Sequence, residues 1–469
     1  MILHHHLCTL ICACATCVSC FSDGQCHGQE APYRWFSTRT PYSEVRGDVA
    51  KLKPVTGCHA KQVYMLVRHG TRYPARDEVN LIHRVIPIIS HFVLSPNNTG
   101  CLSQRQKDSV LSWKSPFDAE EDLKMSKQGL KEMYDLANRM RKKFPQLMTI
   151  SKEDISRLNI RYTDNDRSKL SATYFLQALI QKNFSHCQWT NFHNLAGSRP
   201  KSKDRLLLYC DICYKYIRQR FYPHETEIEE TEKFDNGKVV QQAADDVTAQ
   251  LGLPQGFLNL TVMRGLYEAC RYGYAIFEDS TWCDVLPIRM LQTLEYRQDM
   301  RYYWRYGHGK AVNYEPSCTL LLDVWSNFRK IMSGQQKENR VVLRFGHSRS
   351  ILPFLVRLGF FNDSSALFAD NFHLHHKRLW RLAQINPFSS NIAFVLYHCQ
   401  DEQYRIQILI NEQEVAPPVC EGGLCTWWDL QQAWQPIVDN CDFQDICEQN
   451  VPWTKNDGIL LNENQFHHA

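Results

Sequence analysis

The chain has 469 residues, 43% of them apolar and 22% charged, a composition that suits a globular protein with a large core, built as two or three domains or one domain with an insertion. The net charge of +4 is too small to make nucleic acid or an anionic membrane its main partner, so any preference for anions must come from a local pocket. Beyond the first 22 residues, no apolar run reaches the roughly 18 to 20 residues that cross a bilayer.

Residues 1–22, MILHHHLCTLICACATCVSCFS, have the apolar centre and small-residue end of a secretory signal peptide, with His4, His5 and His6 standing where Lys or Arg is usual. Removing them leaves 14 of the 19 cysteines, an even number that predicts disulfides in an oxidising compartment. Cys270 with Cys283, Cys420 with Cys425 and Cys441 with Cys447 are the close pairs expected to bond. Cys210 and Cys213 are spaced C-x-x-C but fall in a helical pattern without a redox-type βα context, so they read as structural. Sequons at Asn97, Asn183, Asn259 and Asn362 fit the same compartment. The end, NENQFHHA, carries neither an ER-retention tetrapeptide nor an apolar anchor, and secretion is the expectation.

Residues 61–74, KQVYMLVRHGTRYP, are the stretch around which the chain is organised. Residues 63–67 are apolar and β-rich and predict a buried strand that delivers Arg68, His69, Gly70 and Arg72 at its carboxyl end, where open α/β sheets place ligands. A histidine between two arginines suits attack of an imidazole nitrogen on phosphorus while guanidinium forks hold the phosphoryl oxygens. Gly70 is expected to let backbone approach the anion.

Next, residues 81–94 predict a helix interrupted at Pro87, and Ser126 an N-cap for a helix to Phe144 that Pro145 stops. Residues 158–163 read as a second strand leading into a helix that opens with Arg167 and Ser171, where free N–H groups favour an anion. Residues 191–337 are rich in helical patterns and poor in strand signals. Within them the acidic run 225–232 reads as a solvated face, and Tyr302, Tyr303, Trp304 and Tyr306 as core or wall packing. Residues 340–346 are another buried strand, delivering His347, and 392–398 with 404–410 predict an antiparallel pair. His373, His375 and His376 read as a polar loop rather than a metal site, and His69 and His347 lack the neighbouring ligands that zinc needs.

RHGTRYP after a strand resembles the signature of the histidine acid phosphatases. The runs LEYRQDMRYYWRYGHGKAVNYEPSCTL, RFGHSRSILPFLVRLGFF and NIAFVLYHC resemble, within that family, the multiple inositol polyphosphate phosphatases. The resemblance implies an α/β sheet flanked by helices with a mainly α-helical cap, and hydrolysis of inositol hexakisphosphate, with 2,3-bisphosphoglycerate as a second substrate, through a phosphohistidine and without a cofactor. It implies His69 as nucleophile and Arg68, Arg72, Arg167 and His347 as phosphate ligands. The expected organisation is signal peptide 1–22, core 23–190, cap 191–337, core 338–415 and a disulfide-rich tail 416–469. One position departs from the pattern. Where that branch has His-Ala-Glu, with Glu as proton donor, this chain has His347, Ser348 and Arg349, and neither Ser nor Arg replaces a carboxylic acid.

Four readings stay open. Another carboxylate (Glu295, Asp299 or Asp370) supplies the proton; Arg349 stabilises the leaving alkoxide; the chain has become a binder of inositol polyphosphates; or it is a general secreted acid phosphatase. Phosphoglycerate-mutase-like chemistry fits the x-R-x-P extension and the signal segment less well.

Overall fold

The computed structural model describes residues 32–151, 158–181, 196–220, 225–334 and 340–448. Residues 1–22, expected as a signal peptide, and the Asn183 sequon lie outside them; Asn97, Asn259 and Asn362 are exposed.

Eight strands form one mixed sheet: β1 (Cys58–Arg68), β2 (Leu158–Tyr162), β3 (Ala196–Gly197), β4 (Val341–Gly346), β5 (Asn391–Cys399), β6 (Tyr404–Ile410), β7 (Gln413–Glu414) and β8 (Leu424–Thr426). Their order is β3-β2-β4-β1-β5-β6-β7, with β8 on β6. β1, β4, β2 and β3 run parallel, and β5 turns antiparallel to β1 and hairpins into β6. β1 alternates in exposure over its first residues and is buried from Gln62 onward, because helices cover both faces there. Val63, Met65 and Val67 point to the helices Lys127–Lys143 and Asp166–Ile180, whereas Tyr64 and Leu66 point to the opposite core with the helix Arg76–Val93.

The register places the site. Arg68 pairs with Gly346 and Tyr162 with Phe345, so His69, His347 and Thr163 each follow the end of one of three adjacent parallel strands.

Several expectations are corrected. The helix expected to break at Pro87 runs unbroken from Arg76 to Val93; Pro87 lies on its exposed side, where water can solvate the carbonyl left without a donor. Pro145 ends one helix and opens another, Pro145–Met148, being suited to a first turn. The acidic run 225–232 is only partly solvated: Glu225, Glu227 and Glu230 are buried. They are held by Lys310, by Arg301 (3.0 Å) and Arg305 (3.7 Å), and by Lys233 (2.8 Å) respectively. Among the disulfides, Cys270–Cys283 and Cys420–Cys425 are as expected, but Cys441 bonds Cys318 and Cys447 bonds Cys213. The helix Phe443–Ile446 between Cys441 and Cys447 sends these two thiols to different partners. Cys58–Cys399 clamps β1 to β5. No helix among the described residues is long and apolar enough to cross a membrane.

Candidate active site

The three strand ends open into a cavity of about 530 Å³ whose wall includes His69, Arg68, Arg72, Arg167 and His347. The two imidazoles stand 5.4 Å apart between ring centroids, at 67° to each other. The sequence-predicted residues therefore meet in one place, with Arg349 on the same wall.

His69 Nδ1 lies 2.9 Å from the Gly70 carbonyl oxygen, which can only accept, so Nδ1 carries the proton and Nε2 keeps its lone pair. Burial pushes this imidazole well below its ordinary pKa, and Arg167, Arg68 and His347 push it further. The result is a neutral ring whose Nε2 has no hydrogen-bond partner among the described residues. At His347, Nε2 is 3.0 Å from Thr163 Oγ1, which donates its own proton to Ser168 Oγ at 2.7 Å and so receives the His347 N–H. Burial, then Arg349, Arg167 and Arg68, keep His347 neutral as well.

The loop after β1 is fixed from below. Glu132 accepts from the Thr71 N–H (3.0 Å), Thr71 Oγ1 (2.8 Å) and Ser389 Oγ (2.6 Å). Ser389 has φ 59°, a left-handed conformation uncommon for a residue with a side chain, and its N–H donates to the His69 carbonyl at 3.2 Å. Gly70 has a packing reason beyond the one expected: a Cβ there would strike the Gly129 carbonyl and come within 2.7 Å of Met125 Cε. Ser126 caps the helix that carries Gly129 and also donates to the Thr71 carbonyl at 2.8 Å, tying that helix start to the RHGT turn.

Among the described residues, Arg68 and Arg167 have no carboxylate in ion-pair contact. Arg68 donates to the backbone carbonyls of Thr38 and Asn386, both at 2.8 Å, and lies over the Phe388 ring. Arg167 donates to the Leu123 carbonyl at 3.2 Å. Burial lowers the pKa of both, with Arg39 adding at Arg68 and Arg72 at Arg167, so the clustered cations favour an anion between them. Arg72 is partly balanced by Glu78 at 3.7 Å. Ser171, expected at the anion, accepts from the Gly70 N–H at 3.3 Å and donates to the Arg167 carbonyl at 2.8 Å, so it joins the two loops.

A model of the histidine phosphatase superfamily (branch 2) matches residues 60–411. The chain belongs to that family. Among curated relatives it is 28% identical over 404 residues to multiple inositol polyphosphate phosphatase 1 of Homo sapiens, covering 83% of this chain and 82% of that protein. It is also 28% identical over 420 residues to the protein of the same name in Drosophila melanogaster, covering 87% and 86%. In fold it resembles the phytase from D. castellii (TM-score 0.70, 16% identity, 90% of this chain and 88% of that one). It likewise resembles the multiple inositol polyphosphate phosphatase of Bifidobacterium longum in complex with inositol hexasulfate (TM-score 0.61, 13% identity, 85% and 97%).

The cavity wall also holds residues that the sequence reading did not assign to the site. Arg39, Thr163, Asp211 and Tyr302 line the cavity; Tyr302 stands in a run quoted above but reads there as core or wall packing, and only the fold brings the four together. The three carboxylates considered as replacement acids are not on its wall. Glu295 and Asp299 are fully buried against Arg378, at 2.8 and 2.6 Å, and Asp370 is exposed on a loop. The described carboxylates on the wall are Asp164 and Asp211. His373, His375 and His376 form no ligand cluster with other groups, and no set of three or more His, Cys, Asp or Glu among the described residues could hold a metal ion.

Proposed function

We propose that this chain hydrolyses phosphomonoesters of polyphosphorylated inositols, inositol hexakisphosphate foremost and 2,3-bisphosphoglycerate as a second candidate, through a phosphohistidine on His69. The observation that carries the reading is the His69 ring: neutral, with Nδ1 tied to Gly70 and Nε2 left free in a cavity of guanidinium groups. Nε2 attacks phosphorus, and Arg68, Arg72, Arg167 and His347 hold the oxygens on which charge builds. Water then attacks the phosphohistidine and releases inorganic phosphate. The substrate class follows the names of the animal relatives and suits a cavity with more cations than one phosphate needs. Helices of residues 191–337 act as the cap, and the disulfides fit a secreted protein with a cleaved 1–22 segment.

Arg349 favours a second reading, in which the protein binds inositol polyphosphates and turns them over slowly. General acid catalysis is worth about 10²- to 10⁴-fold, and the branch's acid is missing. Phosphate release from inositol hexakisphosphate and from an aryl phosphate, with His69→Ala as the blank, tests both. An aryl oxygen leaves without a proton donor. Release from either substrate above the blank supports the hydrolase, and binding without release from either supports the binder.

A further inference from the structure

With Arg349 at the acid position, the proton for the leaving oxygen must come from another group on the cavity wall. Asp164 is exposed, and Asp211 is engaged in an ion pair with Arg349 at 3.0 Å. Among the hydroxyls, Thr163 is engaged by Ser168 and His347, and the alcohols of Ser202 and Ser348 are no stronger acids than the alcohol that must leave. The Tyr306 hydroxyl is sealed from solvent.

Tyr302 differs from all of these. It sits on the helix Ile288–Tyr306, is 8% exposed, and lines both the catalytic cavity and a neighbouring one of about 490 Å³. Its ring packs edge-on against Tyr306 at 5.3 Å, while its hydroxyl makes no hydrogen bond among the described residues. Burial alone would push the phenol up in pKa; Arg39, Arg68, Arg305 and Arg301 overcome this and hold it below its ordinary value. Those guanidinium groups also stabilise the phenolate left after the proton departs.

We propose that Tyr302 gives its phenolic proton to the leaving alkoxide. The proposal rests on the phosphohistidine reading above. As the His69 Nε2–P bond forms and the P–O ester bond breaks, the departing oxygen takes the Tyr302 proton and leaves as the alcohol. In the second half, water attacks phosphorus and the N–P bond breaks; the phosphate so formed then returns a proton to the Tyr302 phenolate, so hydrolysis of the phosphohistidine itself needs no help from Tyr302.

The test uses the full chain with Tyr302→Phe, and a ring-fluorinated tyrosine at position 302 as the shape-preserving control that keeps an O–H. Turnover of inositol hexakisphosphate is expected to fall about 10²- to 10⁴-fold in Tyr302→Phe while aryl phosphate turnover stays within about threefold, and the fluorinated tyrosine is expected to restore the first rate. Unchanged hexakisphosphate turnover in Tyr302→Phe overturns the assignment, as does an equal loss on both substrates or no rescue by the fluorinated residue. A substrate-selective loss in Asp211→Asn with none in Tyr302→Phe transfers the role to Asp211. If the unmodified protein releases nothing above the His69→Ala blank from either substrate, the hydrolase reading itself fails and the proposal falls with it.

Discussion

Arg349 Nη1 lies 3.0 Å from Asp211 Oδ1, and both side chains are largely buried, at 17% and 14% exposure. The pair joins the first turn of the helix Ser348–Arg357 to the short helix Tyr209–Ile212, which packs against it. Arg349 is thus committed to a carboxylate on a neighbouring helix. Removing one partner leaves the other charged and poorly solvated. Arg349→Ala and Asp211→Ala are each expected to destabilise the protein by roughly 2 to 4 kcal/mol, and the double variant by clearly less than the sum. Denaturant titrations of the four proteins check this; strict additivity would mean that the two charges do not support each other.

Gly70 is held against Gly129 with no room for a Cβ between the RHGT turn and the helix behind it. Gly70→Ala is expected to cost about 1 to 3 kcal/mol in stability and to lower turnover about 10²-fold by displacing His69. Melting curves with phosphate-release assays separate the two effects. A variant with unchanged turnover would show that the turn can move without disturbing the nucleophile.

The core of the site was legible because it is local: a buried strand followed at once by its functional residues occurs at Arg68–His69 and again at His347, and strand register does the rest. The N-cap at Ser126, the second strand, the Arg167 junction and the β5–β6 pair were legible for the same reason. Arg39 and Asp211 were not, since they approach from distant segments and carry no local signal, and the aromatic run holding Tyr302 has the same appearance whether it packs a core or lines a cavity. Buried charges misled the reading of residues 225–232, because a Glu paired with an Arg on another helix has the same sequence appearance as a solvated one. Glu295 and Asp299 failed as candidate acids for the same reason, their partner Arg378 lying about eighty residues downstream.

The C-terminal disulfides tie the tail to residues 213 and 318. Non-reducing peptide maps should link Cys213 with Cys447 and Cys318 with Cys441, with no peptide joining Cys441 to Cys447 within itself. Cys318→Ser with Cys441→Ser, removed together to leave no unpaired thiol, is expected to lower stability by about 2 to 4 kcal/mol. Unchanged stability would mean that the helix Trp427–Asp439, packed through Trp427 and Trp434 on Trp325, holds the tail without the bond.

Glu78 organises the arginines behind the site: it accepts from Arg39 at 3.1 Å, from the Tyr272 hydroxyl at 2.9 Å and from the Ala75 N–H at 2.7 Å, with Arg72 at 3.7 Å. Burial would raise its pKa, but Arg39, Arg72 and Arg271 prevail and bring it down to about 2 from the ordinary 4.5. A carboxyl whose folded pKa lies below its unfolded one contributes stability above the unfolded value and loses it as pH falls toward the folded value. Glu78→Gln should therefore lower stability by on the order of 3 kcal/mol near neutral pH. The difference from the unmodified protein should shrink between pH 4.5 and about pH 2 and vanish below that. Denaturation midpoints measured across this range give the answer: a gap that persists undiminished at the acid end would show that Glu78 acts through packing or hydrogen bonds and not through its charge.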